Sequence, residues 1–283
     1  MAKTRTMPFE AKDSAFLRQS TMRAAFRIVL LVGSATPALA QNPLLTAQQF
    51  GVLGASTVTN TGPTTIIGDL GVYPGTSITG LSSITLTGSV HQTDPVAKQA
   101  QKDALSAYNT LWALPFTSNL TGQNLGGMVL TPGVYFFASA AQLTGNLFLN
   151  FLGNAQSQFV FQIRSTLTTA SASTVSELNG GQSDNVFWLV GESATLGTTT
   201  VFQGSIIADQ SITLTTDAKI VCGRAIALNA AVTMDTNVIS TDCNTDFTEL
   251  PPLVTPTPEP STLVLLSSGL LAVAGVVRRR ARS

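Results

Sequence analysis

The side chains that could make or break bonds in this 283-residue chain are few and scattered. The single histidine, His91, leaves little material for a Ser-His-Asp relay, which needs an imidazole between a hydroxyl and a carboxylate. Paired carboxylates can cleave sugars, but Asp184, Glu192, Asp209 and Asp217 are spread over segments that read as turns, where Asp shapes the backbone. Asp69, within Gly68-Asp69-Leu70-Gly71, reads as another turn former. Cys222 and Cys243 with the distant His91 are too few ligands for a metal site. No phosphate-cradling glycine loop opens a helix. These residues predict a protein that is not an enzyme and needs no cofactor.

Threonine is what the chain has in quantity: 32 of the 210 positions from 41 to 250. Its hydroxyl holds water, its methyl disfavours disordered water beside it, and its β-branch keeps it near one rotamer. That is the chemistry of a surface. The same 210 positions carry five basic residues (Lys98, Lys102, Arg164, Lys219, Arg224) and twelve acidic ones, a net charge of −7. That sign argues against nucleic acid or anionic lipid as partner, since both need a basic footprint. Uncharged polarity with few lysines suits a neutral partner.

The elements that would position the threonines are short strands. Thr, Val, Ile and Phe recur, and helical Ala-Glu-Lys-Leu blocks are nearly absent, so the domain is predicted to be mostly β. Four segments share the form T-[LM]-x-T: Thr166-Leu167-Thr168-Thr169, Thr195-Leu196-Gly197-Thr198, Thr213-Leu214-Thr215-Thr216 and Thr233-Met234-Asp235-Thr236. The first interval between them is the longest, and the two that follow are shorter and similar. An apolar strand precedes each: Phe159-Val160-Phe161, Phe187-Trp188-Leu189-Val190, Ile206-Ile207-Ala208 and Ala225-Ile226-Ala227-Leu228. Irregular periods near 20, broken by Gly, Asn and Asp, suggest the coils of a β-solenoid. A sandwich also uses short strands, but one motif at matching offsets favours the solenoid.

Strand alternation gives direction. With Leu167, Leu196, Leu214 and Met234 pointing inward, Thr166, Thr195, Thr213 and Thr233 point outward. A second outward column is Thr168, Gly197, Thr215 and Asp235, and Ser83-Ile84-Thr85-Leu86-Thr87 repeats the pattern earlier in the chain. One helix interrupts the strands: Asp94 caps it, Pro95 takes its first position and Pro115 lies past its end. Ala97, Ala100, Ala104, Tyr108 and Leu111 share its apolar face, which Lys98, Lys102 and Asp103 avoid.

Both ends read as targeting signals. Residues 22–40 run from Arg23 and Arg27 through an apolar stretch to Ala38-Leu39-Ala40, the order of a signal peptide. The polar preface 1–21 points to Met22 as the true start, and residues 1–40 are expected to be removed. A domain is predicted over 41–248 and a Pro/Thr-rich linker over 249–260. Pro258-Glu259-Pro260 ends that linker, and the tail, 261–283, follows with an uncharged stretch over 263–277 and Arg278-Arg279-Arg280. This tripartite pattern resembles the PEP-CTERM sorting signal of Gram-negative bacteria. The resemblance implies signal peptidase and exosortase as partners in export, a membrane contact that is only transient through 261–277, and an extracellular or outer-surface destination. Export places Cys222 and Cys243 in an oxidising setting, where a disulfide closing the loop between them is the default.

The domain itself resembles the microbial ice-binding-like family over roughly 46–241. The match rests on Phe50-Gly51-Val52-Leu53, Thr59-Asn60-Thr61-Gly62-Pro63-Thr64, Gly68-Asp69-Leu70-Gly71-Val72 and Leu130-Thr131-Pro132-Gly133-Val134-Tyr135. It continues through Phe159-Val160-Phe161-Gln162-Ile163, Asn185-Val186-Phe187-Trp188, Gly223-Arg224-Ala225 and Val232-Thr233-Met234-Asp235-Thr236. The resemblance implies a right-handed, three-faced β-helix with a long helix alongside, whose N-terminal segment closes against later coils. It also implies adsorption to ice or ordered water, which would inhibit ice growth or recrystallisation. In some members a T-[AG]-x-[TN] motif meets ice. Here the corresponding Thr169-Ala170-Ser171-Ala172, Thr198-Thr199-Thr200-Val201 and Thr216-Asp217-Ala218-Lys219 depart from it, and Lys219 would disturb ordered water. The expected contact set is Thr85, Thr87, Thr144, Thr166, Thr168, Thr195, Thr213, Thr215 and Thr233. The alternative is a cell-surface or matrix protein that binds polysaccharide or its own kind.

Overall fold

The computed structural model describes residues 42–180 and 184–243. The expected signal peptide, the linker from 249 and the sorting segment lie outside the described residues. Within them, three parallel sheets form the walls of a β-helix. The first wall has nine strands: Phe50–Gly54, Asp69–Val72, Val90–Gln92, Ser118–Asn119, Gly133–Phe137, Phe159–Ile163, Val186–Val190, Ser205–Ala208 and Ala225–Ala227. The second has seven: Thr57–Thr61, Ser77–Thr79, Ala141–Leu143, Leu167–Thr169, Ala194–Leu196, Ile212–Leu214 and Val232–Asp235. The third has eight: Thr64–Ile67, Ile84–Leu86, Val129–Leu130, Asn146–Asn150, Thr174–Leu178, Val201–Gln203, Lys219–Val221 and Val238–Ser240.

Alternation explains the second and third walls, where inward apolar residues fill the lumen and outward ones meet solvent. The central strands of the first wall do not alternate. Val186–Val190 is buried at every position, because the wall is covered on its outside by helix α1 (Pro95–Trp112). A sheet buried on both faces reads as a continuous apolar run, which accounts for the apolar strand ahead of each T-[LM]-x-T segment. Inside the lumen, Tyr135, Phe161 and Trp188 stack as successive rungs of this wall, with ring centroids 5.3 and 3.7 Å apart. The buried Trp188 indole donates to the Gln203 carbonyl at 3.0 Å.

Helix α1 begins as expected: the Asp94 carboxylate accepts from Ala97 N at 2.8 Å. Its far end is closed by a residue from the wall beneath, since the buried Gln162 side chain donates to the carbonyls of Leu111, Trp112 and Leu114. That supplies acceptors at a helix C-terminus with a donor they otherwise lack. Asp103 stays out of the apolar cluster of the helix face, as expected, yet it does not face solvent. It is buried at the margin of the helix, where it accepts from Thr46 N, Thr46 Oγ1 and Gln99 Nε2 and so ties the segment Leu45–Gln49 to α1.

Coil order departs from chain order. The first coil, through Phe50–Gly54, Thr57–Thr61 and Thr64–Ile67, pairs on one side with the second coil and on the other with the last, through Ala225–Ala227, Val232–Asp235 and Val238–Ser240. Helix α1 leaves the second coil after Val90–Gln92, and the chain re-enters the first wall at its opposite edge with Ser118–Asn119. From there the coils climb back until the last meets the first. The buried Arg224 guanidinium secures this closure, donating to the Gln48 carbonyl at 2.8 Å and to Ser205 Oγ at 3.1 Å. Burial lowers its basicity, and Asp184 at 3.6 Å works against that loss.

Candidate functional site

The second wall is the uncovered face where threonine lines up. Its central outward row is set by strand register: Gln142, Thr168, Thr195, Thr213, Thr233, Thr59 and Thr79, one per rung. Six consecutive rungs therefore present threonine. At about 4.7–4.9 Å per rung, the six span roughly 24 Å. Beneath them lie Leu167, Ala194, Leu196, Ile212, Leu214, Val232 and Met234, all buried, so the row stands on a packed base. Two flanking rows run beside it. One carries Thr166, Ser193, Ser211 and Ala231, with Ser193 and Ser211 hydroxyls 2.9 Å apart. The other carries Ala170, Gly197, Thr215, Asp235 and Thr61.

These rows contain no lysine or arginine. Their one charge, Asp235, accepts from the Thr216 hydroxyl at 2.5 Å and lies beside Thr236 Oγ1 at 3.2 Å. Thr215 donates to the Leu196 carbonyl at 2.8 Å, which fixes the direction of its hydroxyl. At the lower end of the wall, Asn124 bridges Gln142 and donates to Thr144 Oγ1 at 3.1 Å.

The structure separates the residues grouped by sequence. Thr195, Thr213 and Thr233 share the central row as expected. Thr166 does not; Thr168 takes its place, because Leu167 pairs with Ala194 and not with Leu196. Thr166 and Thr215 border the row on opposite sides, and Thr144 lies at its lower margin. Thr85 and Thr87 belong to the third wall: Thr85 pairs with Thr65, in the outward row that also holds Val238, Lys219 and Val201. Thr59 and Thr79 were missed. Thr59-Asn60-Thr61 and Ser77-Ile78-Thr79 show the same alternation, but only the closure of the first coil on the last puts them in line.

The three stretches compared with T-[AG]-x-[TN] sit at the corner between the second and third walls. There Ala172, Thr199, Asp217 and Thr236 adopt left-handed backbone, with φ of 56–59°. Each corner N–H donates to a carbonyl of the next coil: Ala172 to Thr198, Thr199 to Thr216, Asp217 to Asp235 and Thr236, and Thr236 to Thr61. Those bonds hold non-glycine residues in a region that costs roughly 1–2 kcal/mol each.

His91, Asp69 and Asp94 form a polar cluster that braces the start of the helix against the adjacent coil. His91 Nδ1 lies 2.7 Å from Asp94 Oδ2, and Nε2 lies 3.7 Å from Asp69 Oδ2. Asp69 also accepts from Ser89 N at 2.7 Å, holding the adjacent coil. Burial resists ionisation of Asp94, but its bonds from Ala97 and His91 outweigh that and hold its carboxyl below the usual range. Among the described residues, no three His, Cys, Asp or Glu side chains gather where they could hold a metal ion. Cys222 and Cys243 form the expected disulfide. No helix among the described residues is long and apolar enough to cross a membrane.

Comparison with known proteins agrees with this geometry. The ice-binding-like family model matches residues 52–240, and the PEP-CTERM protein-sorting motif matches 256–280. An ice-binding protein of Nostoc sp. (strain HG1) is 53% identical over 237 residues, covering 84% of this chain and 87% of its own. The crystal structure of an ice-binding protein from an Antarctic biological consortium superposes with a TM-score of 0.67 at 43% identity, over 70% of this chain and 89% of that one. The ice-binding protein of the Antarctic ascomycete Antarctomyces psychrotrophicus superposes with a TM-score of 0.66 at 39% identity, over 70% of this chain and 97% of that one.

Proposed function

This chain belongs to the ice-binding-like family, and we propose that it is an exported protein that adsorbs to ice through its second wall. The observation that carries this reading is the unbroken central row of Thr168, Thr195, Thr213, Thr233, Thr59 and Thr79 on a wall without cations. Of the other two walls, one is covered by α1 and the other carries Lys219 in its outward row. A flat crystal needs a flat, repeating partner. Parallel rungs supply the repeat, and the buried base keeps each threonine at its place.

The mechanism is physical adsorption. Each hydroxyl holds a water molecule, and each methyl disfavours disordered water between the rungs. Restricted χ1 freedom means that little side-chain entropy is lost on docking. Single contacts are weak, and many acting together bind. Thr166, Thr215 and Thr144 widen the contact, whereas Thr85 and Thr87 take no part.

Export precedes this role. Signal peptidase removes residues up to Ala40, and an exosortase recognises the motif around Pro258-Glu259-Pro260. The host is a Gram-negative bacterium, with the product at its outer surface or outside it. Partition of the purified protein into slowly growing polycrystalline ice, with recrystallisation inhibition measured alongside, tests the function. Exclusion of the folded protein from ice would refute it and turn attention to polysaccharide or self-association.

A further inference from the structure

The last described residues leave the molecule on the side away from the threonine wall. Val238–Ser240 is a strand of the third wall, and the chain then turns through Thr241 and Asp242 to Cys243. Its disulfide partner Cys222 lies in the turn from Lys219–Val221 of the third wall to Ala225–Ala227 of the first. In a three-walled prism, the corner between the first and third walls lies opposite the second. The segment toward the sorting motif therefore starts at the edge farthest from the proposed ice-binding row.

That exit is also unusually well held. In a simple solenoid the C-terminal strand lies at an open edge and can be peeled away. Here Val238–Ser240 is enclosed, pairing with Lys219–Val221 on one side and Thr64–Ile67 on the other. Thr241 donates through both N and Oγ1 to the Ile67 carbonyl, at 3.0 and 3.1 Å, and Gly223 N donates to the Ser240 carbonyl at 2.9 Å. The disulfide then carries any pull on Cys243 directly into the neighbouring coil at Cys222. Beyond it, the number of residues from 244 to 258 limits the reach to at most about 54 Å at 3.6 Å per residue, with four prolines among the last eight.

We infer that the protein works while tethered, as an anchor that fastens a cell to ice, with the threonine wall facing outward and the load entering the domain through Cys222–Cys243. The inference rests on the ice-binding reading above and goes beyond it, because adsorption alone requires neither a fixed exit nor an opposed one. The partner is bulk ice, bound by the whole cell.

The test uses cells displaying the full chain, passed over an ice surface under controlled flow, alongside the full-length protein purified in detergent and assayed for partition into ice. Wild-type cells should be retained, and T213Y cells at least tenfold less. Cells carrying C222S/C243S should detach at lower flow, although the purified variant partitions into ice as wild type does. If that variant is not exported, a mild reductant applied to displayed wild-type cells should produce the same early release. Accumulation of the chain in the medium, or unretained display cells whose purified protein still enters ice, would overturn the anchor and leave the ice-binding reading standing. Failure of the purified wild type to enter ice would overturn both. Equal detachment of wild-type and disulfide-free cells would overturn the load path.

Discussion

Replacing Thr213 with Tyr is the sharpest perturbation of the proposed surface. Thr213 has a threonine on the adjacent rung on each side, Thr195 and Thr233, and lies well inside the row. A phenol ring stands several ångströms above a threonine methyl, and ice does not bend to follow it. A gap of about 0.5–1 Å already forfeits a quarter to a half of a contact. The lift therefore empties all five remaining threonine contacts. At a low-end value of about 0.5 kcal/mol per hydroxyl, that loss is about 2.5 kcal/mol, on the order of 50–100-fold in affinity. Stability should barely change, since Ile212 and Leu214 stay buried and both residue types suit strands. A change below about 1 kcal/mol corresponds to a shift of less than roughly 2–4 °C in Tm. Recrystallisation inhibition and thermal melting measured on one preparation read both quantities. Thr85→Tyr and Lys219→Tyr, on the third wall, should leave activity unaltered. Full activity in Thr213→Tyr with loss in either third-wall variant would refute the choice of face.

Three further outcomes follow from the scaffold. Removing the disulfide with C222S/C243S should cost about 3 kcal/mol and lower Tm by roughly 6–12 °C; equal melting of both forms would show that the bond adds nothing to stability. Asp103 is held below the ordinary carboxyl pKa because its bonds from Thr46 and Gln99 outweigh the burial that opposes ionisation. A lowered folded pKa means that stability is present above the unfolded value and lost as pH falls through the folded one, so Asp103→Asn should flatten the acid limb of a stability profile, and an unchanged limb would count against this. In Gly223→Ala the new Cβ would lie 2.0 Å from the Gly204 carbonyl oxygen, a backbone clash expected to cost about 1–3 kcal/mol or more; a melting temperature equal to wild type would show that the two coils can part.

Much of the fold was legible because alternation is a local property. The inward Leu167, Leu196, Leu214 and Met234 and the cap at Asp94 follow from neighbours in the chain. Which wall a residue joins does not. Thr85 alternates as Thr213 does, yet it belongs to the third wall, because that depends on how much chain each turn consumes. The coil from Thr168 to Thr195 is longer than those from Thr195 to Thr213 and from Thr213 to Thr233. Its extra length moves the motif by two positions, and Thr166 leaves the row. Thr59 and Thr79 were hidden by a closure between distant parts of the chain. The burial of Asp103 was not legible, because helical periodicity describes one partner surface and Leu45–Gln49 supplies a second.

The pairing of first coil with last also orders events in time. Thr59 and Thr233 are neighbours although they stand near opposite ends of the domain's sequence. As the chain is made or threaded through a membrane from its N-terminus, the first two coils emerge with no surface to finish against. One edge of Phe50–Gly54 and Thr57–Thr61 stays bare until residues 225–240 arrive. Bare strand edges recruit other chains, and contacts of such long range form slowly. Each molecule thus passes through an interval when it is most prone to aggregate, and that interval ends with the same step that completes the threonine row. A helper that shields nascent coils would act on residues 50–92, and a slower supply of the last coil should lower the yield of folded protein before it alters any property of the finished one.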